Sequence, residues 1–87
     1  MLKISRAGAA HDSVTLKLEG RVVGPWVDEL RQACETVLGE GRALRLNLAD
    51  VTFADPDGVA TLTDFKTRGV VLQHCSPFVD EQLRSKR

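Results

Sequence analysis

The chain has no tyrosine, one tryptophan and three phenylalanines. A core with so few rings must be aliphatic, and aromatic platforms on which successive bases stack are scarce. An excess of charge is missing too: 12 Lys and Arg balance 12 Asp and Glu, for a formal net charge of +0. Nucleic-acid binders draw affinity from a basic surplus or stripe, so no nucleic-acid partner is expected. No apolar run nears the roughly 20 residues that cross a bilayer. The opening segment Met1–Arg6 lacks the apolar stretch of a signal sequence, so a cytoplasmic protein without membrane insertion is expected. Cysteine is sparse: Cys34 and Cys75, with His11 and His74, are the soft metal ligands, and they form no close-spaced pair. His74 and Cys75 are sequence neighbours that would point to opposite sides of a strand. No metal site and no cofactor are expected; reduced cysteines serving as small hydrophobes account for both thiols.

What is present is enough for one packed domain over residues 1–87. Apolar residues make up 43% of the chain, and no linker, repeat or low-complexity stretch divides it. Val14, Leu16 and Leu18 alternate with polar residues, as do Leu44, Leu46 and Leu48, which predicts strands over 14–18 and 44–48 buried on one side. Leu2-Lys3-Ile4 is a shorter strand, followed by a loose turn over 7–12. Val70-Val71-Leu72 is an unbroken apolar run and predicts a more deeply buried strand.

Between the strands the apolar spacing becomes helical. Trp26, Val27, Leu30, Ala33, Cys34, Val37 and Leu38 define a helix opened by Pro25 and closed by Gly39 or Gly41, with Trp26 a half-buried anchor. Asp55 as N-cap and Pro56 as first residue open a second helix, whose stripe is Val59, Leu62 and Phe65, ending at Gly69. Ser76-Pro77 opens a third, with Phe78, Val79 and Leu83 apolar and a basic end at Arg84, Lys86 and Arg87. The order β-β-α-β-α-β-α contains two crossovers, which right-handedness turns into adjacent parallel strands. The expected fold is α/β and two-layered: a four-stranded mixed sheet, helices packed on one face, and Lys17, Glu19, Arg45 and Asn47 on a wet opposite face.

This order, with Gly20-Arg21-Val22 after the second strand and Asp55-Pro56-Asp57-Gly58 opening the second helix, resembles the STAS family (sulphate transporter and anti-sigma factor antagonist) from about Val14 onward. The resemblance implies a bacterial regulatory module that binds proteins, is not an enzyme, and docks through the turn before the second helix. Asp55, Pro56, Asp57, Gly58 and Thr61 are the implied docking residues, with Arg21, Val22 and Val23 as additional contacts. The partner so implied is an anti-sigma or kinase-like regulator. The alternative is a transporter subunit, with this chain an accessory component of an ABC-type phospholipid or anion transport assembly. A homodimer remains open.

Departures from the family pattern bear on mechanism. Asp57 stands where switchable relatives carry a phosphorylated serine or threonine, and Pro56 stands at the preceding serine position. Neither accepts phosphate from a serine kinase, so no phosphorylation switch is expected here. Asp57 is then a fixed charge that contacts a partner together with open amides around it, or a carboxylate favoured by the helix dipole. Val23 replaces a common acidic residue, and the second helix is about one turn short. Thr61 and Thr63 are alternative phosphosites, although hydroxyls on a helix are more often plain surface groups. Asp50, Asp55, Asp57 and Asp64 raise a receiver-like alternative, which lacks the early acidic residues and late lysine that such chemistry uses.

Overall fold

The computed structural model describes residues 2–85; the side chains of Phe78, Arg84 and Ser85, and all of Met1, Lys86 and Arg87, lie outside the described residues. The elements are β1 (Leu2–Ala9), β2 (Ser13–Val22), α1 (Trp26–Gly39), β3 (Ala43–Ala54), α2 (Pro56–Thr67), β4 (Val71–Gln73) and α3 (Pro77–Ser85). The sheet runs β1-β2-β3-β4, with β1 antiparallel to β2 and the other neighbours parallel. The mixed four-stranded, two-layer α/β architecture is therefore present.

The reason lies in the alternation. Val14, Leu16, Leu18, Leu44, Leu46 and Leu48 turn inward and are almost wholly buried against Val27, Leu30, Cys34 and Val37 of α1 and Val59, Leu62 and Phe65 of α2. Each such aliphatic contributes about 1.5–3 kcal/mol by leaving water. Cys34 belongs to this core, and burial pushes its thiol up to about 12, which keeps it neutral. Arg45 is exposed on the opposite face, where Lys17 pairs with Asp50 at 3.1 Å. Trp26 is half-buried against the core.

Several boundaries differ from the sequence expectation. β1 continues to Ala9 through a register shift between Arg6 and Gly8, so the loose turn shrinks to 10–12. β3 does not end at Leu48 but continues to Ala54. It exceeds β2 by two residues, 12 against 10, because two bulges interrupt the ladder. Lys17 pairs with Asn47 but Glu19 with Asp50, and Gly20 pairs with Val51 but Arg21 with Phe53. Each bulge leaves one residue of β3 unpaired and resets the alternation. Burial beyond Leu48 therefore recurs every third residue, at Val51 and Ala54, which no period-two reading detects.

The Val70–Leu72 run is not a deeply buried strand. β4 is a three-residue edge strand on Arg45–Asn47; Val70 is buried but Val71 is 48% exposed. An apolar run is buried throughout only when both sheet faces are covered, and here one is open. Pro25 forms the N-cap rather than the first turn of α1; without a side-chain cap, the amides of Trp26 and Val27 donate to the carbonyls of Val23 and Gly24. Gly41, at φ +78°, and not Gly39, makes the left-handed turn after α1.

Candidate functional site

Two parallel strands deliver their C-terminal ends side by side, Val22 beside Ala54. Each feeds directly into a helix, so the N-terminal ends of α1 and α2 meet at one end of the sheet, where open α/β folds commonly bind. A single residue, Asp55, separates β3 from α2. Its φ of −78° and ψ of 176° keep it extended while its side chain caps the helix: Oδ1 accepts from the Gly58 amide at 2.7 Å. Oδ2 reaches across to the Gly24 amide at 3.0 Å, and the Asp55 amide donates to the Val22 carbonyl at 3.1 Å. Asp55 thus bonds both junctions together. The amides of Gly24, then of Gly58, hold its carboxyl below the usual carboxylate range, with the Asp57 amide adding to them against the opposing effect of burial.

Gly58 is required by close approach rather than by flexibility. A Cβ there would run into the Val22 carbonyl oxygen and crowd Val22 Cγ1 at 3.0 Å. Only the absence of a side chain lets α2 start against the end of β2. Gly24, at φ +55°, adopts a left-handed conformation that disfavours other residues and aims its amide at Asp55.

Beside this junction α1 and α2 enclose a cleft of about 380 Å³, lined by Asp28, Arg31, Asp57, Ala60, Thr61 and Asp64 among others. Three carboxylates surround one guanidinium there. Arg31 Nη2 donates to Thr61 Oγ1 at 2.9 Å, which ties α1 to α2. At the far end of α2, Arg68 makes a bidentate pair with Glu35, both contacts 2.8 Å, and stacks over Phe65 at 5.1 Å.

The expected docking residues separate on this geometry. Pro56 and Asp57 are exposed at the rim, and Asp55 and Gly58 form the frame behind them. Thr61 is only 2% exposed, so it is a bonded interior hydroxyl and not a surface contact or an accessible phosphosite. Thr63 is half-buried, with its hydroxyl oxygen enclosed. Val22 is wholly buried and cannot meet a partner; Val23 is half-buried, and Arg21 is exposed on the open face of the sheet, away from the cleft. Nor are the amides around Asp57 open. Asp55 takes that of Gly58 with its side chain and that of Val59 with its carbonyl, and the Asp57 amide faces the same carboxylate and helps hold its pKa down. The helix start is filled from within by Asp55, and the Asp57 carboxylate stands outside that network.

The four aspartates of the receiver-like alternative do not assemble. Asp50 lies on the open face with Lys17, Asp55 is bonded to backbone, and Asp64 approaches Arg68 at 3.9 Å. Among the described residues, no three His, Cys, Asp or Glu side chains converge as a metal ion would need.

Sequence reasoning missed Asp28 and Arg31, although their i, i+3 spacing and the Asp57–Asp64 spacing of seven mark polar stripes on α1 and α2. It also missed Gln82. The Gln82 carboxamide donates to the Ala54 carbonyl at 2.8 Å and accepts from the Ala54 amide at 3.4 Å. It stands in for a strand partner where β4 no longer flanks β3, and no local pattern announces that. Comparison with protein-family models finds no match, and no curated protein matches the chain.

Proposed function

We propose that the chain is a regulatory protein-docking module of the STAS type, resembling anti-sigma factor antagonists. On this reading it binds a cytoplasmic partner through the Asp55–Gly58 turn and the α1–α2 cleft, and it carries no serine phosphorylation switch. The observation that carries the reading is Asp57. It is exposed on the cleft rim, on a turn whose own amides are already used, so its carboxylate is free of the capping role assigned to Asp55. The partner then meets a permanent negative charge where switchable relatives present a hydroxyl. With the first-turn amides occupied, the contact is made by the carboxylate and the cleft walls.

Affinity capture with the tagged chain from its native host identifies the partner. A kinase-like regulator agrees with the proposal, whereas an ATPase subunit would make the chain an accessory component of a transport assembly. Titration calorimetry of wild type, Asp57→Asn and Asp57→Ser against that partner then tests the turn. Loss of a charge-assisted contact costs about 1.5–3 kcal/mol, or about tenfold or more in affinity. Equal affinity for all three proteins would move the docking surface away from this turn.

A further inference from the structure

Among the described residues, the sheet face opposite the helices has no covering layer. Alternation puts Lys3, Lys17, Glu19, Arg21, Arg45 and Asp50 on it, four cations against two carboxylates, a balance of +2. Lys17 is engaged by Asp50 at 3.1 Å, while Lys3, Arg21 and Arg45 form no ion pair among the described residues. The α1–α2 surface has the reverse sign. With their caps Glu40, Asp55 and Arg68, and with Arg42 paired to Glu40 at 3.7 Å, α1 and α2 carry Asp28, Glu29, Glu35, Glu40, Asp55, Asp57 and Asp64 against Arg31, Arg42, Lys66 and Arg68; seven carboxylates less four cations leave −3. The open sheet face and the α1–α2 face of this chain are therefore opposite in sign.

We propose that the open sheet face docks onto the α1–α2 face of a second copy of this chain, in a head-to-tail contact. Charge complementarity selects that occupant. Sheet against sheet would oppose like charges, as would helix side against helix side, and unlike faces attract. The apolar features also correspond. Val71, 48% exposed, is the register partner of Arg45 on the sheet face. Across the contact, exposed Ala60 lies among Asp28, Asp57 and Asp64 in the 380 Å³ cleft; Arg31 is tied there to Thr61, and three carboxylates against one guanidinium leave an acidic surround for a side chain such as Arg45. Because the two surfaces differ, each added copy presents one fresh face of each kind, and the association extends beyond a pair unless its rotation closes a ring.

Sedimentation velocity of the purified full chain over a range of concentrations tests the contact. Wild type should self-associate at low salt, and the association constant should fall about tenfold or more as added salt shortens the screening length. Lys3→Glu/Arg45→Glu reverses the sheet-side balance from +2 to −2, and Asp28→Asn/Glu29→Gln/Asp64→Asn neutralises the α1–α2 face. Each variant should be monomeric alone. An equimolar mixture should form a one-to-one dimer, because each variant keeps the face the other has lost. A wild type that is monomeric at low salt, or a mixture that stays monomeric, overturns the proposal. So does a helix-side variant that associates like wild type, which would mean that sheets pair face to face. Melting curves check folding, and Arg45→Gln replaces the double reversal should that variant melt early. The assay uses only purified chain, so its outcome is independent of whether a partner is captured at the Asp57 turn.

Discussion

Asp55 joins two βα junctions through one carboxylate, and its removal can be worked through quantitatively. Asp55→Ala deletes an N-cap, which costs about 1 kcal/mol within a range of about 0.5–2. It also deletes the bond to the Gly24 amide; Gly24 is exposed, so water replaces the acceptor and the further loss is about 0.5–1.5 kcal/mol. Together these give about 2 kcal/mol. A domain of this size loses about 4–8 °C of Tm per kcal/mol, so the variant should melt about 8–16 °C below wild type at neutral pH. Asp55→Asn separates the two roles. Asparagine caps as well as aspartate, but it has one carbonyl oxygen to offer where the carboxylate offered two, so about half of the loss should remain.

The effect of pH has a definite sign. A carboxyl held below its unfolded value of about 3.9 stabilises the fold fully above that pH. The contribution is lost as pH falls through the lower folded pKa. The gap between wild type and Asp55→Ala should therefore be constant at neutral pH and narrow on acidification below the ordinary carboxylate range. Denaturant unfolding monitored by circular dichroism across pH measures both quantities. Coincident curves at neutral pH, or a gap that widens in acid, would refute the role given to this carboxylate.

Two further substitutions probe the same end of the sheet. Gly58→Ala drives a methyl into the Val22 carbonyl, and because both partners are backbone, neither yields cheaply; a loss of about 1–3 kcal/mol in urea unfolding is expected, and a neutral result would contradict the close approach. Gln82→Ala leaves the Ala54 amide and carbonyl without their carboxamide partner and should cost about 1–3 kcal/mol, with faster hydrogen exchange at the Ala54 amide; unchanged exchange would show that Gln82 does not cover it.

How much of this was legible in the sequence depended on whether a pattern was local. The strands at 14–18 and 44–48 were legible because strict alternation has one physical reading on a sheet with one open face. The start of α2 was legible because Asp-Pro places a cap and a rigid first residue together. The end of β3 was not: bulges after Leu48 and around Thr52 break the alternation that defines a strand, so a paired segment reads as a loop. Thr61 was misjudged for another reason. α2 contacts both α1 and α3 as well as β3, so its buried arc is wider than the Val59-Leu62-Phe65 stripe and takes in Gly58 and Thr61. The cleft joins residues about thirty apart, and Gln82 meets Ala54 across 28, so both needed the topology first.

The one-residue passage from β3 into α2 decides what kind of surface the Asp57 turn is. A hinge needs backbone whose dihedrals can change without breaking anything. Here the single connecting residue is bonded through its amide and both carboxylate oxygens, and the next residue is a proline. Asp57 is therefore held in the frame of the sheet and not on a pliant arm. A molecule that binds there finds its target already in place, and little ordering entropy of this turn is charged against the affinity. Selectivity must then come from matching a fixed outline, and any adaptation on binding falls to the other molecule.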